Sequence, residues 1–184
     1  MQRKGPHQMA ESAHYQQLGK FVILFQELEN SLIELHGAIT GKDYAVEILP
    51  AETGYPRLAR STEAGFSDFI DRLRDPDPEA RTRFHELTQK CLDIGLLRNR
   101  LIRSTYALLE RTGDIVALVQ QATKLKLKPG SRRQLVQEEL SVESFEPYFQ
   151  RIADVLAELE SFRLQVIAWK SAGKQISVRV TAPG

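Results

Sequence analysis

The sequence predicts an all-α protein, an up-and-down bundle of four to five helices with a short β-hairpin or extended flap between the last two long helices. Three patterns predict it. Leu18, Phe25, Leu32 and Ile39 form one seven-residue apolar series, interleaved with Phe21, Leu28 and Leu35. Near the other end, Phe145, Ile152, Leu159 and Val166 are interleaved with Tyr148, Val155, Phe162 and Trp169 in the same way. Between them, Phe84, Leu87, Cys91, Ile94, Leu101 and Leu108 follow a three-and-four spacing, one apolar stripe of a third long helix. At 184 residues the chain fits one domain with a sizeable core.

Taken in order, residues 1–14 are polar, carry Gly5 and Pro6 and lack a period, so they are expected as a flexible N-terminal arm. The domain proper is expected over 15–173. Its first helix ends at Gly41, and Glu29 and His36 flank its stripe. The expectation for His36 is a solvated position. Residues 44–49 read as a short apolar helix before Pro50, Gly54 and Pro56 interrupt the pattern. Ser61 or Thr62 is expected to cap a second helix with Phe66, Phe69, Ile70 and Leu73 on one face. Asp75-Pro76-Asp77-Pro78 ends it and starts the third helix, with Glu79 in the first turn, where the helix dipole favours an anion.

The third helical stripe fades at Arg111-Thr112-Gly113-Asp114, a turn signal. Ile115 to Val119 is rich in branched residues and Lys124 to Lys128 alternates, which suggests the hairpin or flap. The last helix is expected to stop at Gly173, leaving residues 174–184 as a C-terminal tail whose alternating Ile176, Val178 and Val180 fit an edge strand or a mobile end.

Charge is balanced, 25 Lys+Arg against 24 Asp+Glu, so a case for nucleic acid must be local. The single Cys91, on the apolar stripe, excludes an intramolecular disulfide and reads as a small buried hydrophobe in a reducing compartment. No apolar run approaches a membrane span and the N-terminus lacks a signal-peptide core, so the expected location is cytoplasmic. Neither a cofactor nor a metal is expected.

The local charge sits in two places. Arg98 falls on the apolar stripe of the third helix, where a guanidinium that cannot shed its charge needs an anionic partner or a wet groove. Asn99 and Arg103 share another face, with Gly95 one turn earlier, a residue that admits close approach of another backbone. From Ile115 to Gln137 there is no acidic residue, while Lys124, Lys126, Lys128, Arg132 and Arg133 supply positive charge. Beside Arg98, Arg100 and Arg103 this run reads as a phosphate-facing rim.

The stretch Arg98-Asn99-Arg100-Leu101-Ile102-Arg103-Ser104-Thr105-Tyr106 resembles the signature of HEPN domains, the higher-eukaryote and prokaryote nucleotide-binding helical domains. That signature has an Arg, commonly followed by Asn, then a few residues and a His, often followed by a small residue and an aromatic. Here Arg103 stands at the His position. Leu18-Gly19-Lys20-Phe21 through Leu28-Glu29 is similar to the family's first helix, and the resemblance makes Glu29 the acid that supports Arg98.

The resemblance implies a site of Arg98, Asn99 and Arg103; with the rim read from local charge, Arg100, Tyr106, Lys124, Lys126 and Lys128 are expected on RNA or phosphate. It also implies a homodimer, with active sites at the dimer interface, and a setting beside a minimal nucleotidyltransferase-type antitoxin partner. Nuclease members cut RNA without metal, by attack of a ribose 2′-hydroxyl on the neighbouring phosphate. His suits the proton transfer and Arg the phosphate charge. Arg103, with a pKa above about 12, cannot exchange protons at neutral pH, and loss of general acid–base catalysis costs about 100- to 10,000-fold. His85 lies roughly 20 Å from Arg98 along a straight helix at 1.5 Å per residue. His36, Tyr106 or a group from a dimer mate are the remaining substitutes.

Three functions follow. The first is a nuclease-inactive HEPN-like protein that binds RNA, a nucleotide or a protein partner at a dimer groove. The second is a metal-independent endoribonuclease, a toxin or anti-phage defence effector. The third is a structural or scaffolding helical bundle in which Arg98 and Glu29 form a buried ion pair.

Overall fold

A computed structural model describes residues 6–41, 54–73, 77–111, 114–124 and 134–179. Among them are four helices, α1 (Pro6–Thr40), α2 (Tyr55–Ile70), α3 (Ala80–Ile102) and α4 (Glu146–Arg179). Three strands, β1 (Thr105–Arg111), β2 (Asp114–Lys124) and β3 (Gln134–Leu140), lie between α3 and α4 in the chain. The protein is thus dominated by helix and carries one small sheet. No helix among the described residues is long and apolar enough to cross a membrane.

The chain's contacts gather in two compact units. The first comprises Met1–Phe25 and Leu96–Ile152, the second Gln26–Gly95 and Ala153–Gly184. The heptad series supply both cores. Phe21, Phe25, Phe145, Phe149 and Ile152 are buried in the first unit with Leu101, Leu118 and Leu140; Leu28, Leu32, Leu35, Leu159 and Val166 are buried in the second. The second unit also holds a ring cluster, in which Phe66 stacks on Phe84 at 4.0 Å between centroids and meets Phe162 edge-on at 5.5 Å.

Helix ends differ most from expectation. Helix α1 begins at Pro6, inside the expected arm, since Pro suits a first helical turn and the following Gln, Met, Ala and Glu are good helix formers without any apolar period. Helix α2 begins at Tyr55 with Pro56 in its first turn, so Pro56 starts a helix that it was expected to break. Thr62 is no cap; its hydroxyl donates to the Leu58 carbonyl inside the helix, at 2.9 Å. His36, expected in solvent, is buried, and its Nδ1 lies 3.2 Å from the Thr62 hydroxyl oxygen. The Thr62 proton being committed to Leu58, Nδ1 of His36 is the donor in that pair.

Before α3, Asp77 does the capping: its Oδ1 accepts the Glu79 amide at 2.9 Å, and Arg83 reaches its other oxygen at 2.6 Å. The Glu79 amide and then Arg83 hold the Asp77 carboxyl below the usual carboxylate range. Helix α4 continues through Gly173 to Arg179, beyond the expected stop and into the expected tail. One Gly costs about 1 kcal/mol against Ala, too little to end a long helix without a competing turn.

The expected hairpin or flap is a three-stranded antiparallel sheet of order β1-β2-β3. Strand β1 pairs with β2 from Thr105↔Gln121 to Arg111↔Asp114, the two ends of the predicted turn, with an irregularity between Leu109 and Glu110. Strand β3 pairs with β2 from Leu118↔Leu140 to Lys124↔Gln134. Leu108, placed by the spacing on the helix stripe, therefore belongs to β1. The segment 44–49 and the residues Lys126, Lys128, Arg132 and Arg133 lie outside the described residues.

Candidate functional site

The site is the last two turns of α3 with the facing part of α1, all within the first unit. The end of α3 is fixed by side chains that take the carbonyls a further turn would have used. Ser104 Oγ donates to the Arg100 carbonyl at 2.6 Å, and Gln120 Nε2, from β2, donates to the same carbonyl at 3.1 Å and to Ser104 Oγ at 2.9 Å. Tyr106 Oη donates to the Leu101 carbonyl at 2.6 Å. With those acceptors occupied, the helix stops and the β-branched Thr105 and the aromatic Tyr106 open a strand.

Arg98 is half-buried, as its place on the stripe requires. Its guanidinium carbon sits 5.3 Å from the centroid of the Phe25 ring, and its Nη1 donates to Asn99 Oδ1 at 3.2 Å. Its Nε is buried and without a hydrogen-bond partner. Among the described residues no carboxylate forms an ion pair with Arg98 or with the exposed Arg103. The backbone amide of Arg103 closes the helix on the Asn99 carbonyl at 3.1 Å.

The other expected ligand-facing residues are differently engaged. Arg100 lies 3.6 Å from Glu138 and 3.4 Å from the Tyr148 hydroxyl, so its charge is already answered from β3. Lys124 ends β2, and only its backbone belongs to the described structure. Glu29 is half-buried in the second unit, where its charge is one of the smaller causes that raise the Tyr55 phenol, burial being the largest. His85 is also in the second unit, 2.5 Å from Glu63.

Sequence reasoning missed a groove whose lining on α3 starts at Leu101, three residues after Arg98. It encloses about 270 Å3 between α1 and the end of α3, lined by Gly19, Phe21, Val22, Leu101, Ile102 and Tyr106 among others. Val22 and Ile102 are each 47 % exposed there, so part of the groove's apolar wall faces solvent. A Cβ built on Gly19 meets nothing within 4 Å, so no contact inside the chain demands glycine at this helical position. A mid-helix Gly without a packing reason is the one sequence signal that pointed here. Gly95 is the opposite case. Its Cβ would fall 2.8 Å from the Tyr55 ring, so an aromatic ring approaches it, where another backbone was expected.

The titrating groups leave this turn poor in proton chemistry at neutral pH. Burial is the main cause that pushes Tyr106 up to about 12, against an opposing hydrogen bond with Gln120. In the second unit burial likewise pushes the Cys91 thiol up to about 11. Both folded values exceed the unfolded ones, so their contribution to stability is whole below about pH 8.5 and drains away as pH rises through about 9 to 12. The unfolding midpoint in urea should fall over that range, and native Cys91 should resist alkylation at about pH 8. A midpoint that climbs above pH 9, or a thiol that reacts at the rate of the unfolded chain, contradicts these assignments.

Among the described residues no group of three or more His, Cys, Asp or Glu side chains is placed to hold a metal ion. No family model, curated protein or solved structure matches the chain.

Proposed function

We propose that this chain is a HEPN-like binding protein that takes the phosphates of RNA at the end of α3 and does not cleave them, acting as a homodimer. One observation carries the reading: Arg98 holds a guanidinium half-buried on the Phe25 ring, with its Nε unpartnered and no carboxylate partner among the described residues. A buried donor left empty costs roughly 1–3 kcal/mol, a cost that a phosphate oxygen would relieve. The exposed Arg103, just past the end of the same helix, adds a second cation without a carboxylate partner among the described residues. Cleavage is excluded from the reading because Arg103 replaces the proton-transfer group, and Tyr106, at about 12, stays protonated near neutral pH.

The test is binding of a fluorescent RNA oligomer at low salt in the presence of a chelator. Arg98→Ala and Arg98→Met should each weaken binding about tenfold, consistent with a charge-assisted contact of roughly 1.5 kcal/mol or more. Arg98→Met should also stabilise the fold slightly, since it removes the empty donor and keeps the stem. Unchanged affinity in both variants would overturn the phosphate role. RNA cut by the unmodified protein would favour the endoribonuclease instead.

A scaffolding role is a second reading, favoured by the commitment of Arg100 to Glu138 and Tyr148 and of Tyr106 to the helix end. It expects no RNA affinity at low salt and a stability gain alone from Arg98→Met.

A further inference from the structure

The groove that Leu101 and Ile102 line has the size for one ring system. Its volume of about 270 Å3 is near the low end of ligand pockets, which run roughly 300–1,000 Å3. Its accessible aromatic wall is the half-buried Tyr106, since the Phe21 ring is fully buried, and apart from Ser104 the rest is aliphatic or bare backbone at Gly19. Its polar atoms are already spent. Ser104 Oγ donates to the Arg100 carbonyl and accepts from Gln120, and Tyr106 Oη donates to the Leu101 carbonyl. An occupant is therefore held by contact with its faces, with little reading of its edges.

Charge decides what that occupant carries. No acidic residue lines the groove, and the exposed Arg103 stands in the chain between its lining residues Ile102 and Ser104. One turn further along both helices, three residues before Leu101 and four after Phe21, stands the pair of Arg98 and Phe25. A flat apolar body attached to an anion fits this order of features, the ring in the groove and the negative charge at the arginines.

We infer that the groove between Gly19 and Ile102 receives one unstacked nucleobase of the RNA whose phosphate lies on Arg98. The inference rests on the phosphate reading above and adds to it the seat of the base. Because the groove offers no free donor, binding is tolerant of base identity, as in single-strand binders that stack bases on aromatic side chains. The exposed Val22 and Ile102 and the unexplained Gly19 then have one cause: the base covers the apolar walls, and a side chain at residue 19 would occupy its place.

The experiment compares two fluorescent probes of equal charge, an oligoadenylate and an abasic oligomer, on the full chain at low salt. Gly19→Leu adds a side chain at the groove's α1 wall, where a Cβ has no neighbour within 4 Å, and Val22→Phe narrows the groove from a second position. Each variant should lose about tenfold in affinity for oligoadenylate, the scale of one base stack, and keep the affinity for the abasic oligomer. Thermal unfolding of Gly19→Leu at or above the parent's midpoint shows that the fold survives; should it fall, Val22→Phe decides. If both probes bind the filled variants as they bind the parent, the base seat is wrong while the phosphate site stands. If Arg98→Ala leaves both affinities unchanged, the phosphate site itself is wrong, and the inference falls with it.

Discussion

Phe66→Ala should cost about 3–5 kcal/mol of folding stability, the largest effect of any single truncation considered. Phe66 is fully buried in the second unit, stacked on Phe84 at 4.0 Å and edge-on to Phe162 at 5.5 Å. Phe69 and Trp169 complete its surroundings at 6.5 and 6.4 Å. Removal of this ring leaves a void bounded by stiff aromatic neighbours, which cannot collapse into it as flexible aliphatic side chains would. Denaturant unfolding of the variant measures the loss directly. The half-buried Phe69 serves as a comparison, and Phe69→Ala should cost clearly less. An equal cost for both would mean that the cluster is not centred on Phe66.

The second large effect concerns Gly95, and it carries a sign that helix propensity alone would get wrong. In an exposed helix interior, Gly→Ala gains up to about 1 kcal/mol. At residue 95 the added methyl would stand 2.8 and 3.0 Å from two carbons of the Tyr55 ring, which is itself only 7 % exposed and held in the second unit's core. Overpacking of this kind costs roughly 1–3 kcal/mol, so Gly95→Ala should destabilise on balance. Gly19→Ala is the matched control, because nothing stands within 4 Å of its added Cβ, and it should stabilise. The same urea titration on both variants settles the matter: two shifts of the same sign would contradict the packing assigned to Tyr55.

How far the sequence could be read depended on the range of the interaction concerned. The two interleaved series of α1 and the two of α4 declare their buried faces, because a seven-residue apolar period survives only on a helix that packs along its length. The inward turn of Arg98 was legible for the same reason, since it stands on the stripe of Ile94 and Leu101. Helix ends were not. Pro6 and Pro56 each start a helix where the composition suggested interruption, and Gly173 does not stop one. Proline and glycine shift local preferences by amounts that a neighbouring turn can outweigh.

The end of α3 shows most clearly where local reading stops. The stripe predicts helix as far as Leu108, yet the chain changes to strand at Thr105, since the carbonyls of Arg100 and Leu101 are taken by Gln120 and Tyr106. Gln120 is sixteen residues beyond Ser104, and nothing in the helical stretch announces its arrival. The same holds for the groove: Val22 and Ile102 look like ordinary apolar residues in the sequence, and only the approach of α1 to the end of α3 makes them its walls.

By itself, the sequence determined that the chain is mainly helical, which faces of its longest helices are buried, and that a permanent cation is turned inward at residue 98. Each follows from side-chain periodicity and from a guanidinium that stays charged at any physiological pH. Only the tertiary structure decided where α3 ends, which arginines are already answered by a neighbour, why Gly95 must be glycine, and that Gly19 opens onto a groove. Those outcomes depend on side chains brought together from distant parts of the chain, competing for the same carbonyls and the same space, and no local pattern records who wins.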